Sequence, residues 1–500
     1  MDGIAGRHVV VVGGGIAGLA AALHLNRADA GLRVTVLEAA PRVGGKLYAS
    51  QVAGIEVDAG AESMLARRPE GKELARLAGL GDDLVDPGTT RAAVLSRGAL
   101  RPLPRQQVMG VPSDVVALAR SGVLSPAGLA RVPLDQFLPP TLVTGDVSVA
   151  AYIRARMGSE VVDRLVEPLL GGVYAGRADM LSLDATMPRI AAVARTDRSL
   201  LQAARSITAE APADAGPVFT TLRNGLGALP AAVAKESGAQ IRTGVTVRDL
   251  IRTPDGWRLV TGPTRDEETI DADAVVLAVP ARPASRLLRR EAPKAAAELA
   301  AIEYASMGIV TLAYPRAAFP EPPEGSGYLV PPVEGRPVKA ATFSSVKWPH
   351  LAEADRNVLI VRCSLGRLGE ELVLQRDDAE LTALAMNEMA EIMGVRGLPL
   401  DTRVTRWGGA LPQYDVGHLD RVARVRAAIA GQPGLAVCGA AYEGVGIPAC
   451  VATARTAAKL VLEHLRETQH LRETQHLRET QHLRETQHLP ETQGTPAADA

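Results

Sequence analysis

The chain is short of the residues that announce metal, disulfide or membrane chemistry. Its 500 residues hold three cysteines, Cys363, Cys438 and Cys450, far apart and without a C-x-x-C spacing. A disulfide framework and a structural zinc site are therefore not expected. Cys438 lies in an apolar strand pattern and reads as a small core residue. No uninterrupted apolar run reaches about 18 residues, which excludes an expected transmembrane helix. Met1 to His8 leads straight into a strand pattern, so no signal peptide is expected and the cytoplasm is the expected compartment. Charge of one sign is also lacking: 55 basic and 56 acidic residues leave a net charge of -1. Nothing here calls for nucleic acid or an anionic membrane as partner. The balance of 47% hydrophobic and 22% charged residues describes an ordinary globular chain, long enough for two or three domains.

What the chain does have begins at Val9-Val10-Val11-Val12, followed at once by Gly13, Gly14 and Gly15, then Ile16, Ala17 and Gly18. A buried strand running into G-x-G-x-x-G, then a helix, is the fingerprint of a dinucleotide site. Gly13 allows the turn, Gly15 lets a pyrophosphate approach the backbone, and Gly18 lets helix pack on strand. The positive end of that helix faces the phosphates. A second strand, Arg33 to Leu37, ends in Glu38, whose carboxylate can accept both hydroxyls of an adenosine ribose. A glycine-rich turn that binds nothing would not explain that acid.

Glu38-Ala39-Ala40-Pro41-Arg42-Val43-Gly44-Gly45-Lys46 resembles the E-x-x-x-R-x-G-G-[RK] extension of FAD-dependent amine oxidases, phytoene desaturases and protoporphyrinogen oxidases. The resemblance implies FAD. Arg42 and Lys46 can meet pyrophosphate or flavin charge, or form an ordinary solvated pair. The turn Asp58-Ala59-Gly60-Ala61-Glu62-Ser63 is one that such enzymes press against the cofactor, and Val247, Trp407, Gly439, Val445, Gly446 and Ile447 complete the implied cofactor set.

The expected fold is α/β: a discontinuous Rossmann-like FAD-binding domain (1–65, 219–300 and 401–463), an α+β substrate-binding domain (66–109 and 301–400) and a mainly helical insertion (110–218). A helix from about Ala449 to Glu463 closes the cofactor domain. Residues 208–217 read as a loop. From His464 the hexapeptide HLRETQ occurs four times and HLPETQ once, in a 464–500 tail expected to be disordered or a solvated helix. At about 100° per residue this period brings no single apolar stripe to one face.

Further motifs narrow the resemblance to the protoporphyrinogen and coproporphyrinogen oxidase family over nearly the whole chain before the tail. They are Glu167-Pro168 with Gly172-Val173-Tyr174-Ala175-Gly176, Leu222-Arg223-Asn224-Gly225-Leu226, Gly325-Ser326-Gly327-Tyr328-Leu329-Val330-Pro331, Trp407 with Pro412-Gln413-Tyr414 and Gly417-His418, and Gly444-Val445-Gly446-Ile447-Pro448. The resemblance implies a six-electron oxidation of a porphyrinogen in three flavin cycles, with oxygen reduced to hydrogen peroxide. Substrate positioning, without a Ser-His-Asp set or a metal, is then the protein's task.

By the same resemblance Gly172 lies over the flavin, where its carbonyl can hold pyrrole N–H groups, and Leu329 clamps the macrocycle. A tight-turn glycine and a plain core leucine are the alternatives. Two positions depart from the animal and plant pattern. Ser326 stands where they have phenylalanine, and their propionate-binding arginine has no secure counterpart, leaving Arg105 as a candidate against simple surface charge. Met109-Gly110-Val111-Pro112 resembles the soluble bacterial branch, which acts on coproporphyrinogen III and whose product passes to a ferrochelatase. Three other readings stay open: a protoporphyrinogen IX oxidase, an amine oxidase and a flavin-binding scaffold. The amine oxidase is disfavoured by an aromatic content of 3% and by Val445, Gly446 and Ile447 at the flavin turn. Cys450 does not stand in an S-G-C-Y setting, so the FAD is expected to be noncovalent.

Overall fold

The computed structural model of the protein describes residues 6–141, 143–210 and 216–487; half of the expected 208–217 loop and the last repeat from His488 lie outside them. Its centre is a five-stranded parallel sheet in the order Gln240–Thr243, Arg33–Glu38, His8–Val12, Ala274–Leu277, Leu435–Val437. Three distant parts of the chain thus build one sheet. Its central strands carry near-continuous apolar runs because both faces are covered. Val9 and Val11 pack with the helices Ile16–Ala28 and Ile447–Gln487, and Val10 and Val12 face the helices Ala281–Leu288, Pro293–Ala300 and His418–Ala430.

The second large layer is a seven-stranded sheet in the order Asp401–Pro412, Tyr304–Pro315, Val358–Leu365, Val338–Phe343, Gly327–Leu329, Ala93–Ser96, Ala99–Pro102. Helix Asp378–Met393 covers one face, beginning in a capping box between Asp377 and Glu380. Two expected boundaries move. Asp401–Pro412, grouped with the cofactor segments on sequence, hydrogen-bonds along Tyr304–Ala313 of this sheet. Helix Pro69–Leu77, grouped with the substrate segments, buries Leu74 and Ala75 in the core beside the dinucleotide fold.

The helical insertion packs around its own apolar core. Asp114 and Ser125 cap their helices by accepting from Ala117 N and Gly128 N. A buried ion pair ties the insertion together: Arg156 Nε donates to Asp135 Oδ1 at 2.5 Å, with the side chains 2% and 0% exposed. Asp135 also accepts from Ser199 Oγ and Leu201 N. Arg156→Met leaves that carboxylate buried and unpaired, and is expected to cost about 3–5 kcal/mol in chemical denaturation.

Within the insertion a π turn, Val162–Val166, precedes the helix Glu167–Tyr174. Pro168 has no N–H to donate and its ring would meet the Arg164 carbonyl, so the chain widens there. The last helix passes the expected end at Glu463 and reaches Gln487. The repeats carry neither glycine nor proline before Pro490, and the first of them is seated on the body through Leu465, which is 1% exposed.

Candidate active site

The glycine turn sits at the C-terminal ends of the parallel strands. Gly13 N donates to Leu37 O at 2.8 Å. A Cβ added at Gly18 would lie 1.9 Å from Gly13 O, whereas one at Gly15 would meet nothing within 4 Å. Gly18 is therefore required by packing, and Gly15 borders free space at a helix N-terminus, where a pyrophosphate can be received. Glu38 is oriented rather than loose: it accepts from Gly14 N at 2.6 Å and Ala40 N at 2.7 Å. Val245 N donates to Glu38 O at 2.9 Å. The strand opening with Val247 is thereby set beside Glu38 and Ala39, at the end suited to an adenosine.

Arg42 donates to Val43 O and Gly45 O and stacks over Tyr48, 4.1 Å from the ring centroid. It braces the loop that carries Lys46. Among the described residues no carboxylate pairs with Lys46, and burial pushes its ammonium below the usual value. An anionic group would satisfy it.

The turn at Gly60 is closely packed: a Cβ there would stand 1.8 Å from Lys46 O and 3.2 Å from the Trp407 ring, and Trp407 Nε1 donates to Ala59 O at 2.9 Å. Asp58 joins two of the sequence motifs by accepting from Leu226 N and Gly227 N, and burial pushes it up to about 6. Glu62, expected at the cofactor, directs its carboxylate elsewhere. It accepts from Lys347 Nζ at 2.7 Å, Arg362 Nη1 at 2.6 Å and Ser344 Oγ at 3.1 Å, all from the seven-stranded sheet and its flank. Backbone at Ala61, Glu62 and Ser63 is what remains for a cofactor. Lys347 and Arg362 carry no sequence signal, because their role depends on a contact about 300 residues away.

At the far end of the chain Gly439 N donates to Thr453 Oγ1 at 3.0 Å, and the position of a Cβ on Gly439 is 3.9 Å from Ala17. The turn Val445, Gly446, Ile447 opens the last helix, whose N-terminal part packs in one core with Ile16–Ala28. Tyr414 ties that turn in place, donating to Ala440 O at 2.6 Å and accepting from Gly444 N at 2.8 Å. His418 stacks on Tyr414 at 3.8 Å between centroids and donates through Nε2 to Tyr442 O; burial pushes it down to about 4, so it stays neutral.

Gly172 lies in the last turn of Glu167–Tyr174, which Ala175 ends with φ 49°. Carbonyls there lack helical partners and carry the negative end of the helix dipole. A Cβ on Gly172 would lie 3.8 Å from a Leu329 methyl group, so the two residues expected to position the substrate face each other. Gln413 anchors this helix end by donating through Nε2 to Tyr174 O at 2.8 Å. The conspicuous P-Q-Y motif thus acquires a structural task at each of its last two residues. Arg105 is exposed on the loop after Ala99–Pro102, and Ser326 Oγ donates to Arg91 O at 3.0 Å. Neither is drawn into the Gly172 and Leu329 pair.

Compared with known proteins, residues 16–462 match the flavin containing amine oxidoreductase family. The chain belongs to that family. It is 39% identical to a coproporphyrinogen III oxidase of Mycobacterium bovis over 92% of this chain and 98% of that one. Against the coproporphyrinogen III oxidase of Bacillus subtilis the identity is 32%, over the same shares. A crystal structure from Exiguobacterium sp. 255-15, provisionally assigned as a protoporphyrinogen oxidase, superposes with a TM-score of 0.81 at 31% identity, covering 92% of this chain and 99% of that one. The chain is a flavin-dependent oxidoreductase of the family to which these coproporphyrinogen III oxidases belong. No helix among the described residues is long and apolar enough to cross a membrane, and no cluster there could hold a metal ion.

Proposed function

We propose that the protein oxidises coproporphyrinogen III to coproporphyrin III in haem biosynthesis, with molecular oxygen as acceptor and noncovalent FAD as cofactor. The carrying observation is that Gly172, in the last turn of its helix, stands opposite a Leu329 methyl group. A porphyrinogen presents four pyrrole N–H donors on a broad apolar ring. Helix-end carbonyls can accept those donors while a leucine presses the ring. When bound, FAD supplies the two-electron chemistry. The six electrons and six hydrogens removed from the macrocycle reduce three oxygen molecules to three of hydrogen peroxide.

Gly15, Glu38 and Lys46 would hold the cofactor at pyrophosphate, ribose and an anionic edge. Burial of Cys450, whose thiol is pushed up to about 11, keeps it from acting as a nucleophile and favours a noncovalent flavin. The tetracarboxylate is preferred to protoporphyrinogen IX because a relative at 39% identity carries the coproporphyrinogen name, above the 31% and 30% of the two protoporphyrinogen-named chains compared, from Exiguobacterium sp. 255-15 and tobacco. A ferrochelatase would take the product.

The test is aerobic turnover of both porphyrinogens by purified protein, following porphyrin fluorescence and peroxide with autoxidation subtracted. Faster oxidation of coproporphyrinogen III, with three peroxides per porphyrin, is expected. Preference for the dicarboxylate would replace the substrate, and yellow protein that oxidises neither would overturn the reading.

A further inference from the structure

Lys339 is 5% exposed, yet its Nζ has no hydrogen-bond partner and no carboxylate within ion-pair distance among the described residues. Arg367, 6% exposed, lies close enough to press on it electrostatically. Glu370 offsets little of this charge, because it already accepts from Arg367 Nη1 at 3.1 Å and its side chain is 52% exposed. Two cations are therefore buried together, and the acid beside them faces outward and is engaged by Arg367. Natural interiors pair or neutralise such groups. Burial pushes Lys339 down to about 7, a value that an arriving carboxylate would raise again.

Backbone contacts place this pair beside the proposed substrate clamp. Lys339 is the bulged residue of Val338–Phe343, where the register with Val358–Leu365 shifts. Its carbonyl accepts from Val330 N at 2.9 Å, and Arg367 Nη2 donates to Val330 O at 2.9 Å. Val330 follows Leu329 directly. On the other side Leu368 N donates to Ala175 O at 2.8 Å, at the end of the Gly172 helix. Both halves of the clamp thus abut the loop and strand that carry the two cations.

We propose that Lys339, with Arg367 beside it, receives a propionate carboxylate of the porphyrinogen and so fixes how the macrocycle is turned between Gly172 and Leu329. The inference rests on the reading of the substrate as a porphyrinogen carboxylic acid. Lys339 is a specificity-determining residue in this account, and Arg105 on its exposed loop is not required for that contact. A carboxylate is the matching chemistry because it accepts several hydrogen bonds at once and supplies the missing negative charge.

The test compares binding of coproporphyrin III and of its neutral tetraamide, by flavin and porphyrin fluorescence, in the wild-type holoenzyme and in Lys339→Met. Methionine keeps length and volume while removing the charge. Coproporphyrin III is expected to bind about tenfold more weakly to Lys339→Met, with a parallel rise in KM, while tetraamide affinity changes less than about twofold. Equal weakening of both ligands would show a packing defect and overturn the proposal, as would unchanged affinity for the acid. Lys339→Gln serves in the same comparison if the methionine variant does not fold. A wild-type protein that neither binds coproporphyrin III nor oxidises the porphyrinogen would sink the functional reading itself, which is a different result from a working wild type matched by its variants.

Discussion

Gly18→Ala is expected to yield a protein without flavin and with a destabilised fold, whereas Gly15→Ala loses the flavin alone. The two glycines stand three residues apart in one motif, and the structure separates their reasons. At Gly18 the new methyl group would sit 1.9 Å from Gly13 O and 3.2 Å from Ala278 Cβ. Gly13 cannot retreat, because its N–H is held by Leu37 O and its own Cβ position is 2.7 Å from Ala278 O. Overpacking of this kind costs about 1–3 kcal/mol or more, which outweighs the gain of about 1 kcal/mol from replacing a helical glycine with alanine. At Gly15 the methyl group enters free space, so the apo fold is unaffected and only a group approaching the backbone is obstructed. Flavin absorbance per mole of protein, with thermal unfolding of the apo forms, separates the two. Full flavin occupancy in Gly15→Ala would remove the pyrophosphate from this turn.

Glu62→Ala is expected to lower stability by about 3–5 kcal/mol and to speed flavin loss. The carboxylate is shared by Lys347 and Arg362, with side-chain exposures of 13%, 15% and 8% for the three residues. Removing it leaves two buried cations without their acid. Arg362 also donates to Gly60 O at 2.6 Å, so its release loosens the turn that approaches the cofactor. Burial acts to raise Glu62, but the two cations and their hydrogen bonds win and hold its folded pKa well below the carboxylate range. A carboxyl lowered on folding contributes stability above its unfolded value, near 4.3, and loses it as pH falls through the folded value. The gap between wild type and variant should therefore be full at neutral pH and shrink below about pH 4. Guanidinium unfolding at several pH values measures this. If the ion triad acts as a unit, adding Lys347→Met to Glu62→Ala recovers part of the loss.

The two predictions mark the division between what could be read early and what could not. Val9 to Gly18 with Glu38 is legible because a dinucleotide site is built from neighbours in sequence, each with its own steric requirement. The caps at Asp114 and Ser125 are legible for the same local reason. The pairing of Gly172 with Leu329 came from resemblance, not from spacing, and the structure brings the two together across more than 150 residues. Glu62 was placed at the cofactor by its motif, but its side chain is claimed by cations with no local pattern. Residues 401–412 were grouped with the cofactor segments because the sheet that a strand joins is set by partners far away in the chain, here Tyr304–Ala313.

The sequence by itself determined the dinucleotide turn, the oxidoreductase family, the order of the elements and the positions of the glycines, since these follow from short-range sterics and motifs. Only the tertiary structure decided which charges are paired. Arg362 and Lys347 are paired with Glu62, while Lys339 is left without an acid, and that difference arises because burial and partnership depend on residues hundreds of positions apart.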